Sequence, residues 1–204
     1  MSKKYRLGVY GGSFNPIHKG HMELAQLFMD KLNFDKLLLI PTSVPPHKVC
    51  ENMASGTDRL NMCTLASKNI GGIEVSDIEI NRQGKSYTID TLKSICEIYQ
   101  NVEIYLLMGA DMFLSFDTWK EYKKILKMAV LCTVPRNNDN VEMLKKYADY
   151  LNLQGGKTIV SEQTLTQVSS TQIRDMLKLN EDVDNLLSKE VFQYIKDKHL
   201  YNTF

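Results

Sequence analysis

An apolar run from Tyr5 to Tyr10, two glycines, a loop stiffened by Pro16 and a helical pattern from Lys19 constrain this chain more than any other stretch. The run reads as an opening strand, and Gly11-Gly12 allow a tight turn behind it. From Lys19 to Leu32, the apolar residues Met22, Leu24, Ala25, Leu27, Phe28 and Leu32 have helical spacing. Lys36 to Ile40 is a short apolar strand pattern stopped by Pro41. Strand, helix and strand at that spacing form a βαβ unit, which favours a right-handed crossover and a parallel sheet.

The alternation continues. Strand patterns at Ile73 to Val75, Val102 to Met108, Val130 to Val134 and Lys157 to Val160 are separated by helical ones. The helices are predicted to start with a cap at Thr57 or Asp58, at Thr88, at Met112 with a break near Phe116-Asp117, and at Val141. Thr171 to Leu179 and Ser188 to Lys198 close the chain as helices. This order predicts an α/β fold with a doubly wound, Rossmann-like parallel sheet and a small C-terminal helical cap. Residues 1–165 are expected to form the α/β core and 166–204 the helical subdomain of a single domain. The loop PTSVPPHKVCENMASG follows the second strand on the side where such sheets bind ligands.

Composition narrows the partners. The net charge of +1, from 25 basic and 24 acidic residues, gives no electrostatic case for nucleic acid or membrane. Cys50, Cys63, Cys96 and Cys132 are dispersed without a C-x-x-C pair, so reduced thiols are expected rather than zinc or disulfides. No apolar run approaches the ~20 residues a membrane helix needs, and the N-terminus lacks an apolar signal region. A cytoplasmic protein is expected.

Two motifs can carry chemistry. His18 and His21, three apart at a helix start, can present both rings to one ligand. The helix N-terminus favours an anion there. Two solvated surface histidines are the plainer alternative. Ser169-Ser170-Thr171-Gln172-Ile173-Arg174 supplies hydroxyls at another helix start, which a capping box would also explain. Arg174 is the informative residue, because a cation in a first turn opposes the dipole and wants an anionic partner.

The paired elements G-x-F-x-P-x-H-x-G-H and S-S-T-x-I-R, about 150 residues apart, resemble the nucleotidylyltransferase superfamily. Between them, PTSVPPHK at 41–48, DRLNM at 58–62, the run from Glu79 to Leu92, and GADMF with Trp119 downstream resemble bacterial nicotinate mononucleotide adenylyltransferase. The resemblance covers nearly the whole chain in order. It implies ATP and nicotinate mononucleotide as small-molecule substrates, substrate-bound Mg²⁺, and nicotinate adenine dinucleotide and pyrophosphate as products. It implies neither a nucleic-acid nor a membrane partner and leaves a homo-oligomer possible. His18 and His21 would stabilise charge on the ATP phosphates, while Ser170, Thr171 and Arg174 hold the departing pyrophosphate. Gly11, Ser13 and Phe14 would bring backbone close to the nucleotide, with Gly109 and Asp111 at the adenosine. His47, Lys48, Thr88 and Trp119 would bind the acceptor, although core packing also explains Trp119.

Two departures stand out. Lys120 follows Trp119 where the family usually has an aromatic residue. Pro135-Arg136-Asn137 replaces a common Arg-Pro-Gly, leaving Arg136 as a further phosphate candidate. A sibling transferase using nicotinamide mononucleotide or another phosphate acceptor is the nearest alternative, and a non-catalytic nucleotide-binding module a more distant one.

Overall fold

The computed structural model describes residues 4–44, 53–82, 84–135 and 141–202. Six parallel strands form one sheet: β1 (Tyr5–Gly12), β2 (Lys36–Pro41), β3 (Ile73–Val75), β4 (Val102–Leu107), β5 (Ala129–Thr133) and β6 (Lys157–Val160). Their order is β3-β2-β1-β4-β5-β6. The chain winds outward from β1 through β3, then returns to place β4 on the other side of β1. The topological switch point therefore lies between β1 and β4, where an open α/β sheet leaves a crevice beyond its carboxyl ends.

The helices are α1 (Lys19–Leu32), α2 (Gly56–Ser67), α3 (Thr88–Ile98), α4 (Ala110–Leu114), α5 (Tyr122–Met128), α6 (Val141–Leu153), α7 (Ser170–Lys178) and α8 (Lys189–Asp197). Short 3-10 turns at Phe116–Thr118 and Leu200–Asn202 complete the described elements. The expected break near Phe116 is this first turn between α4 and α5. One boundary needs correction: Ser55, not Thr57 or Asp58, caps α2, its Oγ accepting the Asp58 N–H at 3.0 Å. Asp58 uses its carboxylate to accept from the Ser55 hydroxyl instead.

Period-two alternation divides the buried residues between two cores. On one face of the sheet, Leu7, Val9, Leu38, Ile40, Ile104 and Leu106 pack with α3, α5 and α6 residues such as Leu92, Ile125 and Leu144. On the other, Tyr10, Leu37, Leu39 and Tyr105 pack with Leu24 and Phe28 of α1 and Met62 of α2. Ile173, Leu177, Val191, Ile195 and Tyr201 belong to this second core. The C-terminal helices thus bury their apolar faces in the same core as α1 and α2.

Two glycines mark close approaches. A Cβ on Gly8 would lie 2.7 Å from the Phe34 ring, which covers β1 there. One on Gly20 would lie 2.9 Å from the Thr166 carbonyl oxygen, so this glycine lets the segment after β6 pass against the start of α1. Glu23 reinforces that crossing, its carboxylate accepting from the Thr166 N–H at 2.7 Å and hydroxyl at 2.8 Å.

Candidate active site

β1 delivers the chain to the switch point, and the loop from Ser13 to His18 turns it into α1. His18 is the N-cap residue, with extended backbone (φ −146°, ψ 173°), and His21 lies in the first turn. Their rings stack with centroids 3.6 Å apart and planes 26° from parallel. The His18 N–H donates to His21 Nδ1 at 3.2 Å. An accepting Nδ1 fixes the proton of neutral His21 on Nε2, the nitrogen available to donate to a ligand. Burial, and secondarily His18 beside it, hold the His21 pKa well below the usual histidine value. Phe14 supports the ring edge-on, with centroids 5.1 Å apart and planes at 84°.

The helix start is less open than an empty anion cradle. The His18 N–H is taken by His21, the Lys19 N–H by the Leu186 carbonyl at 2.9 Å, and the His21 and Met22 N–H groups by the His18 carbonyl.

The second motif meets the first directly. Ser169 caps α7, accepting from the Gln172 N–H at 3.1 Å. Ser170 Oγ donates to the Pro16 carbonyl at 2.9 Å, and Arg174 Nη1 to the Asn15 carbonyl at 2.8 Å. Arg174 Nη2 also donates to Thr171 Oγ1 at 3.2 Å. These contacts use two of the five N–H donors that a guanidinium carries. The start of α7 and the histidine loop consequently form one wall.

Gly109 is the N-cap of α4 and Asp111 lies exposed in its first turn, directly after β4 at the same sheet edge. Gly11 is exposed, and Ser13 turns its carbonyl toward Arg59. Phe14 is 1% exposed, with φ of 45°, so its side chain belongs to the core beneath the site. Thr88 is the first residue of α3, and Trp119 ends the 3-10 turn, half-buried against Phe116 at 5.1 Å between ring centroids. α3 and α5 pack together, and Lys120, next to Trp119, lies 3.5 Å from Asp90, two residues after Thr88. His47, Lys48 and Arg136 lie outside the described residues.

Four residues with no role assigned from the sequence hold these parts together. Arg59 is 1% exposed and donates to four main-chain carbonyls: Ser13 at 2.9 Å, Thr42 at 2.6 Å, Ser43 at 3.3 Å and Ala54 at 3.0 Å. It ties the turns after β1 and β2 to the start of α2. Asn15 Oδ1 accepts from the Ala54 N–H at 3.0 Å and the Tyr201 hydroxyl at 2.7 Å. Glu79 is buried and accepts from Thr91 Oγ1 at 2.7 Å, fastening the segment after β3 to α3. Arg59 and Glu79 lie inside motifs already quoted, where they carried no assigned role; Asn15 and Tyr201 gave no signal of these contacts without their distant partners.

Among the described residues, no three His, Cys, Asp or Glu side chains come together as a metal site. No helix among these residues is long and apolar enough to cross a membrane.

A strand-loop-helix with paired histidines is thus joined to a Ser-Thr-Arg helix start at the switch point of a parallel α/β sheet. The cytidylyltransferase-like family model matches residues 9–176. The chain is 34% identical over 197 residues to a Fusobacterium nucleatum protein named "Probable nicotinate-nucleotide adenylyltransferase", covering 96% of this chain and 99% of that protein. A protein of the same name from Borrelia turicatae is 37% identical over 196 residues, covering 96% and 97%. The chain belongs to the nicotinate-nucleotide adenylyltransferase family. Its fold matches that of Plasmodium falciparum nicotinic acid mononucleotide adenylyltransferase complexed with NaAD, with a TM-score of 0.81, 20% identity and 98% of each chain covered.

Proposed function

We propose that this protein transfers AMP from ATP to nicotinate mononucleotide, releasing pyrophosphate and forming nicotinate adenine dinucleotide. The observation that carries the mechanism is the joining of the His18–His21 pair to the α7 start through Arg174–Asn15 and Ser170–Pro16. It gives one ATP polyphosphate two sets of donors on a shared wall. The acceptor assignment rests on the family relation and on the Thr88 and Trp119 positions.

The acceptor phosphate oxygen attacks the α-phosphorus in line, forming an O–P bond as the bond to the β-phosphate oxygen breaks. A phosphate monoester is largely dianionic at neutral pH, so no side chain need become a covalent nucleophile. Catalysis then consists of alignment and charge stabilisation. His21 Nε2–H and the His18 ring donate to phosphate oxygens at the α-position. Arg174, Ser170 and Thr171 hold the leaving pyrophosphate, while Gly109 and Asp111 face the adenosine. Gly11 and Ser13 line the backbone turn beside it. Mg²⁺, bound through the ATP phosphates, would supply neutralisation of their charge. Thr88 and Trp119 bind the pyridine end of the acceptor, and His47 and Lys48 its phosphate.

Mass spectrometry of the product tests this function with ATP, Mg²⁺ and the mononucleotide supplied together and with each omitted. Nicotinate adenine dinucleotide is expected only in the complete mixture. Absence of dinucleotide with both nicotinate and nicotinamide mononucleotides would refute it.

A further inference from the structure

Lys120, which breaks the expected aromatic pattern, has a specific place. Its Nζ lies 4.2 Å from the centre of the Tyr87 ring and 3.5 Å from Asp90 Oδ2. Tyr87 caps α3 and Asp90 occupies its first turn, on either side of Thr88 and Ile89. Lys120 therefore connects the segment bearing Trp119 to the helix start bearing Thr88. Lys93 also approaches Asp90, at 3.8 Å, and Lys124 pairs with Glu121 nearby. Asp90 therefore faces two lysines, while Glu121 is occupied by Lys124.

We propose that Lys120 determines preference for a pyridine ring bearing a carboxylate over one bearing a carboxamide. The inference rests on Thr88 and Trp119 holding the pyridine end of the acceptor. Main-chain N–H donors at a helix start can serve either substituent, because both present a carbonyl-type oxygen. Net charge separates them. Asp90 alone would place a negative charge beside an arriving carboxylate, weakening the helix-dipole attraction. Lys120 offsets that repulsion while the Tyr87 ring helps retain its ammonium in place.

The test compares kcat/KM for nicotinate and nicotinamide mononucleotides in wild type, K120Q, K120R and K120Q/D90N, with thermal midpoints checking the fold. K120Q should lower the nicotinate-to-nicotinamide ratio by roughly 5–10-fold, chiefly through the nicotinate KM, a scale consistent with a partly exposed charge. K120R should keep most of the ratio, and K120Q/D90N should recover much of it because the opposing carboxylate is gone. An unchanged ratio in K120Q, or equal losses on both acceptors, would overturn the charge-selection role. If wild type uses neither acceptor, the acceptor assignment itself fails and this proposal fails with it.

Discussion

Arg174 and Asn15, 159 positions apart, are joined by a 2.8 Å hydrogen bond from guanidinium Nη1 to a main-chain carbonyl. The arginine that would grip the leaving group also holds the loop before the histidines. Arg174→Lys keeps a cation but loses the planar fork needed for both tasks. A fall in kcat of roughly 10²-fold is expected for this variant, on the scale of losing an oriented transition-state donor. Steady-state kinetics with saturating acceptor would measure it; a wild-type kcat would exclude the fork as a requirement.

Tyr201 acts on the same loop from the end of the described chain. Its hydroxyl donates to Asn15 Oδ1 at 2.7 Å, while Ala54 N–H supplies a second donor to that oxygen. Tyr201→Phe should cost about 1 kcal/mol of stability, since one acceptor loses one of two partners. It should also lower kcat severalfold through the position of Arg174. Urea unfolding and kinetics on the same variant separate the two effects.

Arg59 has a larger structural task. Replacement by Met would leave carbonyls of Ser13, Thr42, Ser43 and Ala54 without this donor in a nearly water-free site. The expected loss is on the order of 3 kcal/mol, set by unmet buried acceptors. Denaturant titration should show a lower midpoint with little change in slope.

His21 gives an acid-side signature. Its folded pKa is depressed, first by burial and then by His18, so the unfolded chain binds its proton more readily. The His21 contribution to stability is therefore fully present above the ordinary value of 6.5 and is lost as pH falls below it. Thermal midpoints of His21→Asn and wild type, measured across this range, should show a shallower decline in the variant. Identical slopes would argue against buried neutral His21.

Glu79 works in the opposite direction. Burial raises its pKa despite the opposing Thr91, Ser86 and Thr42 hydrogen bonds and the Arg82 charge. The fold binds this proton more tightly than the unfolded chain, so stability falls as pH rises above the ordinary glutamate value of 4.5. Glu79→Gln should remove that dependence and raise the thermal midpoint at neutral pH. A lower midpoint would mean that its ionised form is needed by the network.

Much of the architecture was legible because strand and helix periods alternate strongly. Leu38 and Leu39 point to opposite cores, as adjacent strand residues must, and α1 runs from Lys19 to Leu32 as its apolar spacing indicates. His18 and His21 were visible because their spacing is local. The joining of Arg174 to Asn15 was not, since a hydrogen bond to a main-chain carbonyl leaves no residue-type signal at its acceptor. Nor was the place of the Phe14 ring legible: it packs against Tyr10 and His21, beneath the loop whose backbone the resemblance assigns to the nucleotide. The cap at Ser55 was missed because Thr57 and Asp58 are equally competent by chemistry alone.

The most direct measurement of the proposed mechanism is pyrophosphate release at saturating ATP, Mg²⁺ and nicotinate mononucleotide by His18→Ala and His21→Ala, each checked for a retained fold. Each variant should lose roughly 10²-fold or more in kcat, the scale of a removed transition-state donor. Near wild-type turnover in both would contradict the assignment of charge stabilisation to the stacked histidines.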